Sequence, residues 1–245
     1  MQPFISSGPG RRHVCSAFLL ILFMGSNARG AGGSIPARGF SRDLAFARYV
    51  TSQEQRDTFS KSATVGILIE ASLPDLYKSA ALLAVRTQPE NGQSELHFLQ
   101  IAGDGTVAEE VIDRYFVLCE QIDELPLSSI AITPANYKFH FAGEVKTGAG
   151  KAYVYDITPK KNQPGLVAGQ LWMDSDTGHE VMLAGHLLHI SAMGRRVDIV
   201  RDTEVINGCV CGRITHVTFA LPRLGRAQLV IREMVMNSQI TPQLE

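Results

Sequence analysis

The rhythm of apolar and polar positions changes along the chain, and each change marks an element. Residues 42–59, RDLAFARYVTSQEQRDTF, arrange Leu44, Ala45, Ala47, Arg48 and Val50 as on a helix. Ser41 can cap that helix and Asp43 suits its first turn. In 64–73 the period drops to two. Val65, Ile67, Ile69, Ala71 and Leu73 alternate with Thr64, Gly66, Glu70 and Ser72, the mark of a strand with one buried face. Residues 81–87 and 95–102 read as two more strands, joined through an Asn91-Gly92 hairpin turn.

After Gly103-Asp104-Gly105 the period lengthens again. Val107, Val111, Ile112, Tyr115, Leu118, Cys119 and Ile122 recur at steps of three and four. Thr106 and Glu109 offer a capping box, and Pro126 stops the run, so an amphipathic helix of about four to five turns is expected. From 137 onward the chain returns to strands: 137–145, 151–158, 166–174, 179–187, 195–205, 212–221 and 226–236. In the first of these, Tyr137, Phe139 and Phe141 take one face and Lys138, His140 and Glu144 the other. No alternation of strand with helix appears, so the sheet should be antiparallel, with about ten strands and two helices in an α+β fold.

The chain has 245 residues, of which 45% are hydrophobic and 19% charged, enough apolar material for a substantial core. The first thirty residues read as an export signal. Arg11 and Arg12 precede the apolar run SAFLLILFM (16–24), and small residues around Gly30 supply a cleavage site. The run is shorter than the roughly 20 apolar residues a bilayer span needs, and an uncleaved N-terminal anchor is the alternative. No later segment has the length and hydropathy of a transmembrane span. Residues 31–40 follow as a leader of small residues, 41–238 as a single domain and 239–245 as a tail. The signal holds Arg11, Arg12 and Arg29 and no acid, so its removal shifts the formal charge from −1 to −4. That mild acidity speaks against nucleic acid as a partner. Export also leaves three cysteines, Cys119, Cys209 and Cys211, which is no disulfide framework.

Candidate chemistry is sparse. Asp174-Ser175-Asp176-Thr177-Gly178 resembles half of a calcium loop, but its twelfth position is Gly185, which offers no carboxylate. The same residues suit a hairpin turn, with 166–174 and 179–187 as its arms. His186 and His189 would share a metal on a helix, but on a strand they face opposite sides. Cys209, Cys211 and His216 make an incomplete ligand set, and no metal site is assigned. A dispersed Ser-His-Asp triad leaves no spacing rule, yet the G-x-S-x-G elbow is absent, and no catalytic residue or cofactor is assigned. Lys160 and Lys161 read as a solvated loop, with an anionic lipid head group or partner as the alternative. The aromatic row Tyr137, Phe139, Phe141, with Tyr153, Tyr155 and Ile157 on the next arm, reads as core or as the lining of an apolar pocket.

Residues 133–181, TPANYKFHFAGEV…YVYDITPKKNQPGLVAGQLWMDSDTGHEV, resemble the periplasmic lipoprotein-carrier superfamily of LolA, LolB and RseB-like domains. The likeness is nearest to a bacterial branch of that superfamily without an assigned role. Residues 103–116, GDGTVAEEVIDRYF, also look like that branch. The resemblance implies an incomplete, strongly curved antiparallel barrel with helices on its concave side, and a concavity that holds acyl chains. It implies a periplasmic, non-enzymatic binding protein that takes up a lipid or lipidated peptide. Phe139, Phe141, Tyr153, Tyr155 and Leu171 are the expected groove lining. An interaction or sensor domain that binds another envelope protein is the second reading, and a hydrolase the third.

Overall fold

A computed structural model describes residues 42–59, 64–87, 95–148, 150–188, 196–206 and 209–236. The export signal, the leader, Ser41, the Asn91-Gly92 turn, His189 and the C-terminal tail lie outside the described residues. The chain runs α1 (Arg42–Phe59), β1 (Thr64–Leu73), β2 (Lys78–Thr87) and β3 (Glu95–Gly103). A helical stretch follows: α2 (Gly105–Val107), a π-helical turn (Ala108–Asp113), α3 (Arg114–Asp123) and the short α4 (Leu127–Ile130). Then come β4 (Tyr137–Thr147), β5 (Gly150–Pro159), β6 (Val167–Asp174), β7 (Glu180–Leu187), β8 (Val197–Ile206), β9 (Cys209–Leu221) and β10 (Gly225–Met236).

The strands form one sheet of ten, in the order β3-β2-β1-β10-β9-β8-β7-β6-β5-β4. Every neighbouring pair is antiparallel. The first three strands step outward to one edge. The helical stretch then carries the chain to the opposite edge, where β4 begins, and the remaining strands step back until β10 pairs with β1. Edges β3 and β4 do not meet, so the sheet is open, as an incomplete barrel requires. Register shifts interrupt four of the pairings, β2–β3, β4–β5, β6–β7 and β8–β9. Such bulges add local twist and bend strands. Gly169 and Gly185 stand opposite each other in β6 and β7, and a Cβ on Gly169 would lie 2.1 Å from the Ala184 carbonyl oxygen. Only glycine allows two strands to come so close.

The period-two pattern places the core. Val65, Ile67, Ile69 and Ala71 of β1 share a face with Leu229 and Ile231 of β10, Val217 of β9 and Ile199 of β8. That face continues through Leu183, Leu171 and Tyr155 to Phe141 at the far edge. This is the inner face of the sheet. All of these side chains are buried except Phe141, which is half-buried against the same core. The apolar stripe of the helical stretch, Val107, Val111, Ile112, Tyr115, Leu118, Cys119 and Ile122, packs into that core. No helix among the described residues is long and apolar enough to cross a membrane.

Two local expectations change. The helical stretch starts at Gly105, so its cap is Asp104 and not Thr106: the Asp104 carboxylate accepts from the Thr106 and Val107 backbone amides. Lys78 Nζ lies 3.1 Å from the same carboxylate, and its hydrogen bond holds the Asp104 pKa below the ordinary value. Glu144 does not oppose Phe141. The bulge between Phe141 and Gly143 turns the strand over, and Glu144 pairs with Tyr153 on the aromatic face.

Candidate ligand-binding site

The five residues expected to line a groove come together on the inner face of β4, β5 and β6. Phe141 stands opposite Tyr155, which stands opposite Leu171; Phe139 is opposite Ile157, and Tyr153 opposite Met173. The rings form a connected row. Phe139 meets Tyr155 at 6.3 Å between centroids, and Phe141 meets Tyr155 at 5.6 Å and Tyr153 at 6.2 Å, all edge to face. Tyr137 closes one end: its hydroxyl accepts from the Val167 backbone amide at 3.0 Å. Burial pushes the Tyr137 hydroxyl up to about 12, despite that hydrogen bond and the charge of Arg201.

The row is covered. Phe46 of α1 packs edge to face on Phe139, with centroids 5.0 Å apart, and lies 5.4 Å from Tyr155. The Arg42 guanidinium sits 4.7 Å above the Phe141 ring. Leu171 is fully buried, and Tyr153 and Tyr155 are 6% exposed. The sequence shows these rings on one face but not that an N-terminal helix would lie over them.

The acidic pentad fastens that helix. Asp174 Oδ1 accepts from the Asp176 and Thr177 amides and from the Thr177 hydroxyl, and the Gly178 amide donates to the Asp174 carbonyl. The carboxylate is therefore engaged in shaping its own turn, as the hairpin reading requires. Gly178 has φ +73°, and a Cβ there would lie 2.5 Å from the Ala45 carbonyl and 3.0 Å from the Tyr49 amide nitrogen. Arg48 Nη1 reaches back to the Asp176 carbonyl at 2.6 Å. The pentad is a bracket on which α1 sits.

A second part of the inner face was not anticipated. On β2, β7, β8, β9 and β10, charged residues occupy inward positions. Arg86, Glu180, Arg201, Arg213 and Glu233 are all buried, at 3–5% exposure. Arg201 pairs with Glu180, Nε donating at 2.8 Å, and Arg86 Nη2 lies 3.3 Å from Glu233. Glu233 stands opposite Arg213 in the β9–β10 ladder. Burial raises the Glu233 pKa, against the pull of Arg213, Arg86 and Arg201. Beside this cluster, Tyr115 and Leu118 of α3 leave a small cavity over Leu187, Ile199, Thr215, Val217, Ile231 and Glu233, with room for about one water. A sequence signal existed: Arg86 follows Leu82 and Ala84 in phase, Arg201 follows Ile199, and Glu233 follows Ile231.

The remaining candidates disperse. His186 lies in β7 opposite Asp198. His216 lies in β9 between Val200 and Val230, on the outer face. Cys119 and Cys211 are thiols; Cys119 is buried, and Cys211 Sγ donates to the Glu204 carbonyl. The side chain of Cys209 lies outside the described residues. Lys160 Nζ donates to the Pro134 carbonyl at 2.5 Å, which ties the β5–β6 loop to the segment before β4.

No protein-family model matches the chain, and no curated protein matches it. Solved structures do. One is a LolA superfamily protein from Nitrosomonas europaea, 12% identical, with TM-score 0.34 over 78% of this chain and 94% of that one. Another is a DUF1329 family protein from Desulfovibrio piger, 13% identical, with TM-score 0.36 over 81% of this chain and 94% of that one. A third, from Vibrio parahaemolyticus, is named for outer membrane lipoprotein sorting; it is 8% identical, with TM-score 0.31 over 80% of this chain and 92% of that one. Neither ligand nor activity follows from likeness of this order.

Proposed function

We propose that this chain is a non-enzymatic binding protein of the bacterial periplasm that takes up a lipid or lipidated peptide against its inner face. The observation behind this reading is the cover on that face. An apolar surface running from β4 to β1 is closed by helices that are separate from the sheet, not by a second sheet. Over the aromatic row the cover is α1, held by Phe46, Arg42 and the pentad bracket. In this reading the sheet curves with its helices on the concave side, and α1 over the aromatic row acts as a closed lid. Uptake displaces α1 and exchanges its apolar contacts for those of an acyl chain, at roughly 25 cal/mol per Å² of apolar surface removed from water. The π-helical turn Ala108–Asp113 interrupts the cover over the rest of the face, and such turns recur at functional sites.

Native mass spectrometry of protein isolated from a periplasmic extract tests this. Wild type carries lipid-sized adducts, and Phe141→Arg, which puts a charge into the row, loses them. A bare wild-type mass after exposure to lipid vesicles would remove the reading.

A second reading has its own observation. Strand β3 is a sheet edge, and its Phe98, Leu99 and Ile101 are 40%, 59% and 54% exposed. An apolar edge strand is a template for β-strand addition by an envelope protein. Specific capture of one such protein, lost when Leu99 becomes Lys while lipid is absent throughout, would favour that reading.

A further inference from the structure

The antiparallel ladders gather several turns at one end of the sheet. Ser72 pairs with Gln228 and Ala80 with Gly103; Gly225 pairs with Leu221, Val197 with Phe219, and Leu187 with both Val197 and Val167. The β1–β2, β5–β6 and β9–β10 turns, the step from β3 into α2 and the residue leading into β8 therefore share one rim. Lys78 pairs there with Asp104, and Arg196 with Asp198. The remaining acid of these turns, Asp75, accepts from the Arg226 backbone amide at 3.0 Å. The remaining cations are Lys160, which holds the Pro134 carbonyl, and the exposed Lys161, Arg223 and Arg226. A chain whose formal charge is −1 thus concentrates positive charge at one end.

The same rim carries apolar side chains pointing outward. The Asp75 contact clamps the β1–β2 turn to the β9–β10 turn, and a Cβ on Gly225 would lie 2.3 Å from the Asp75 carboxylate. Leu73, Leu221 and Leu224 of these turns pack into the core, whereas Leu76 is 41% and Tyr77 99% exposed. Tyr77 and Arg223 have φ of +54° and +69°, the positive values found for non-glycine residues among those described. The left-handed region is costly for a residue with a Cβ, and glycine is the usual choice where a helical turn ends, as one does at Tyr77. Such strain persists where function requires it. A tyrosine ring wholly in solvent adds nothing to the fold, and it stands beside an arginine held in the same conformation.

We infer that this rim docks on an anionic phospholipid surface, with Leu76 and Tyr77 entering the head-group layer and Arg223, Arg226 and Lys161 meeting lipid phosphates. Tyrosine is suited to that layer by its apolar ring and polar tip, and guanidiniums meet phosphate oxygens through paired N–H donors. Basic residues add attraction to an anionic leaflet. A ring that projects from a turn needs no matching pocket in a soft layer, which favours a lipid surface over a rigid acidic protein. The inference does not require the inner face to hold an acyl chain.

Flotation of the full chain with vesicles of phosphatidylcholine, or of phosphatidylcholine partly replaced by phosphatidylglycerol, tests this. The chain should bind the anionic vesicles roughly tenfold more tightly, and the preference should vanish in about 1 M salt. Tyr77→Gly and Arg223→Gly should keep the wild-type melting temperature, because glycine takes a positive φ without strain. Each should nonetheless weaken binding to anionic vesicles by roughly fivefold. Tyr77→Trp should shift its emission to the blue on anionic vesicles alone. Equal binding to both vesicles, or none to either, overturns the inference. Unchanged anionic-vesicle binding by a variant carrying both glycine substitutions also overturns it. Native mass spectrometry of that double variant should show the same adducts as wild type, which separates failure of the rim from failure of the inner-face reading.

Discussion

Phe46 of α1 meets Phe139 of β4 edge to face, 5.0 Å between ring centroids, and this contact joins the first helix to the last strand of the sheet order. Both rings are half-buried against the core. Phe46→Ala should cost about 1–2 kcal/mol in chemical denaturation, below the full range for a wholly buried phenylalanine. Amide exchange should rise across α1 and stay slow in β9 and β10. Uniform acceleration over the whole chain would show that α1 is no separate lid.

Gly178 fixes the other attachment of α1. Its φ of +73° and the 2.5 Å approach of a Cβ to the Ala45 carbonyl both oppose a side chain. Gly178→Ala should destabilise by more than about 1 kcal/mol, because strain and clash act together. Asp174→Ala removes the acceptor for two backbone amides and one hydroxyl in the same turn and should also loosen α1. A thermal melt of each variant decides this; an unchanged midpoint for Gly178→Ala contradicts the close packing.

Arg201 and Glu180 are a buried pair, with side chains 6% and 3% exposed. Removing one partner strands the other. Arg201→Met should cost about 3–5 kcal/mol, and adding Glu180→Leu should return most of that loss. Denaturation of both single variants and the double variant gives the coupling. Additive losses would show that the pair does not act as a unit.

Tyr137 predicts an alkaline limit. Unfolded, its hydroxyl ionises near 10; folded, burial holds it to about 12. The unfolded chain thus gives up a proton that the folded chain keeps. Stability from this group is complete below pH 10 and is lost as the pH rises toward 12. Tyr137→Phe should flatten that fall, at the cost of an unmet Val167 amide. An identical slope in wild type and variant between these pH values contradicts the assignment.

The alternation of apolar residues made most strands legible, and β1 was found to the residue at Thr64–Leu73. Strand alternation works because one face must be buried, which couples sequence phase to side-chain direction. It failed at Glu144, where a bulge reverses the phase; the one mark of it in YKFHFAGEV is Gly143, a glycine inside a strand that alternation alone passes over. The aromatic row was legible for the same reason as the strands. The docking of α1 on it was not, since that contact joins residues about a hundred positions apart. The arginine cluster lay in plain phase with its strands but reads as ordinary surface until three strands are placed side by side. The helix cap was misplaced by two residues because Thr106 and Asp104 both have capping side chains.

The most direct test is where a bound acyl chain lies. A fatty acid with a photoreactive group at its chain end can be cross-linked to the protein and the adducts mapped by peptide mass spectrometry. The account predicts attachment on the inner face at Phe139, Phe141, Tyr155 or the α1 residue Phe46. Attachment confined to the edge residues Phe98, Leu99 and Ile101, or to outer-face residues such as Val200 and Ile214, would contradict it.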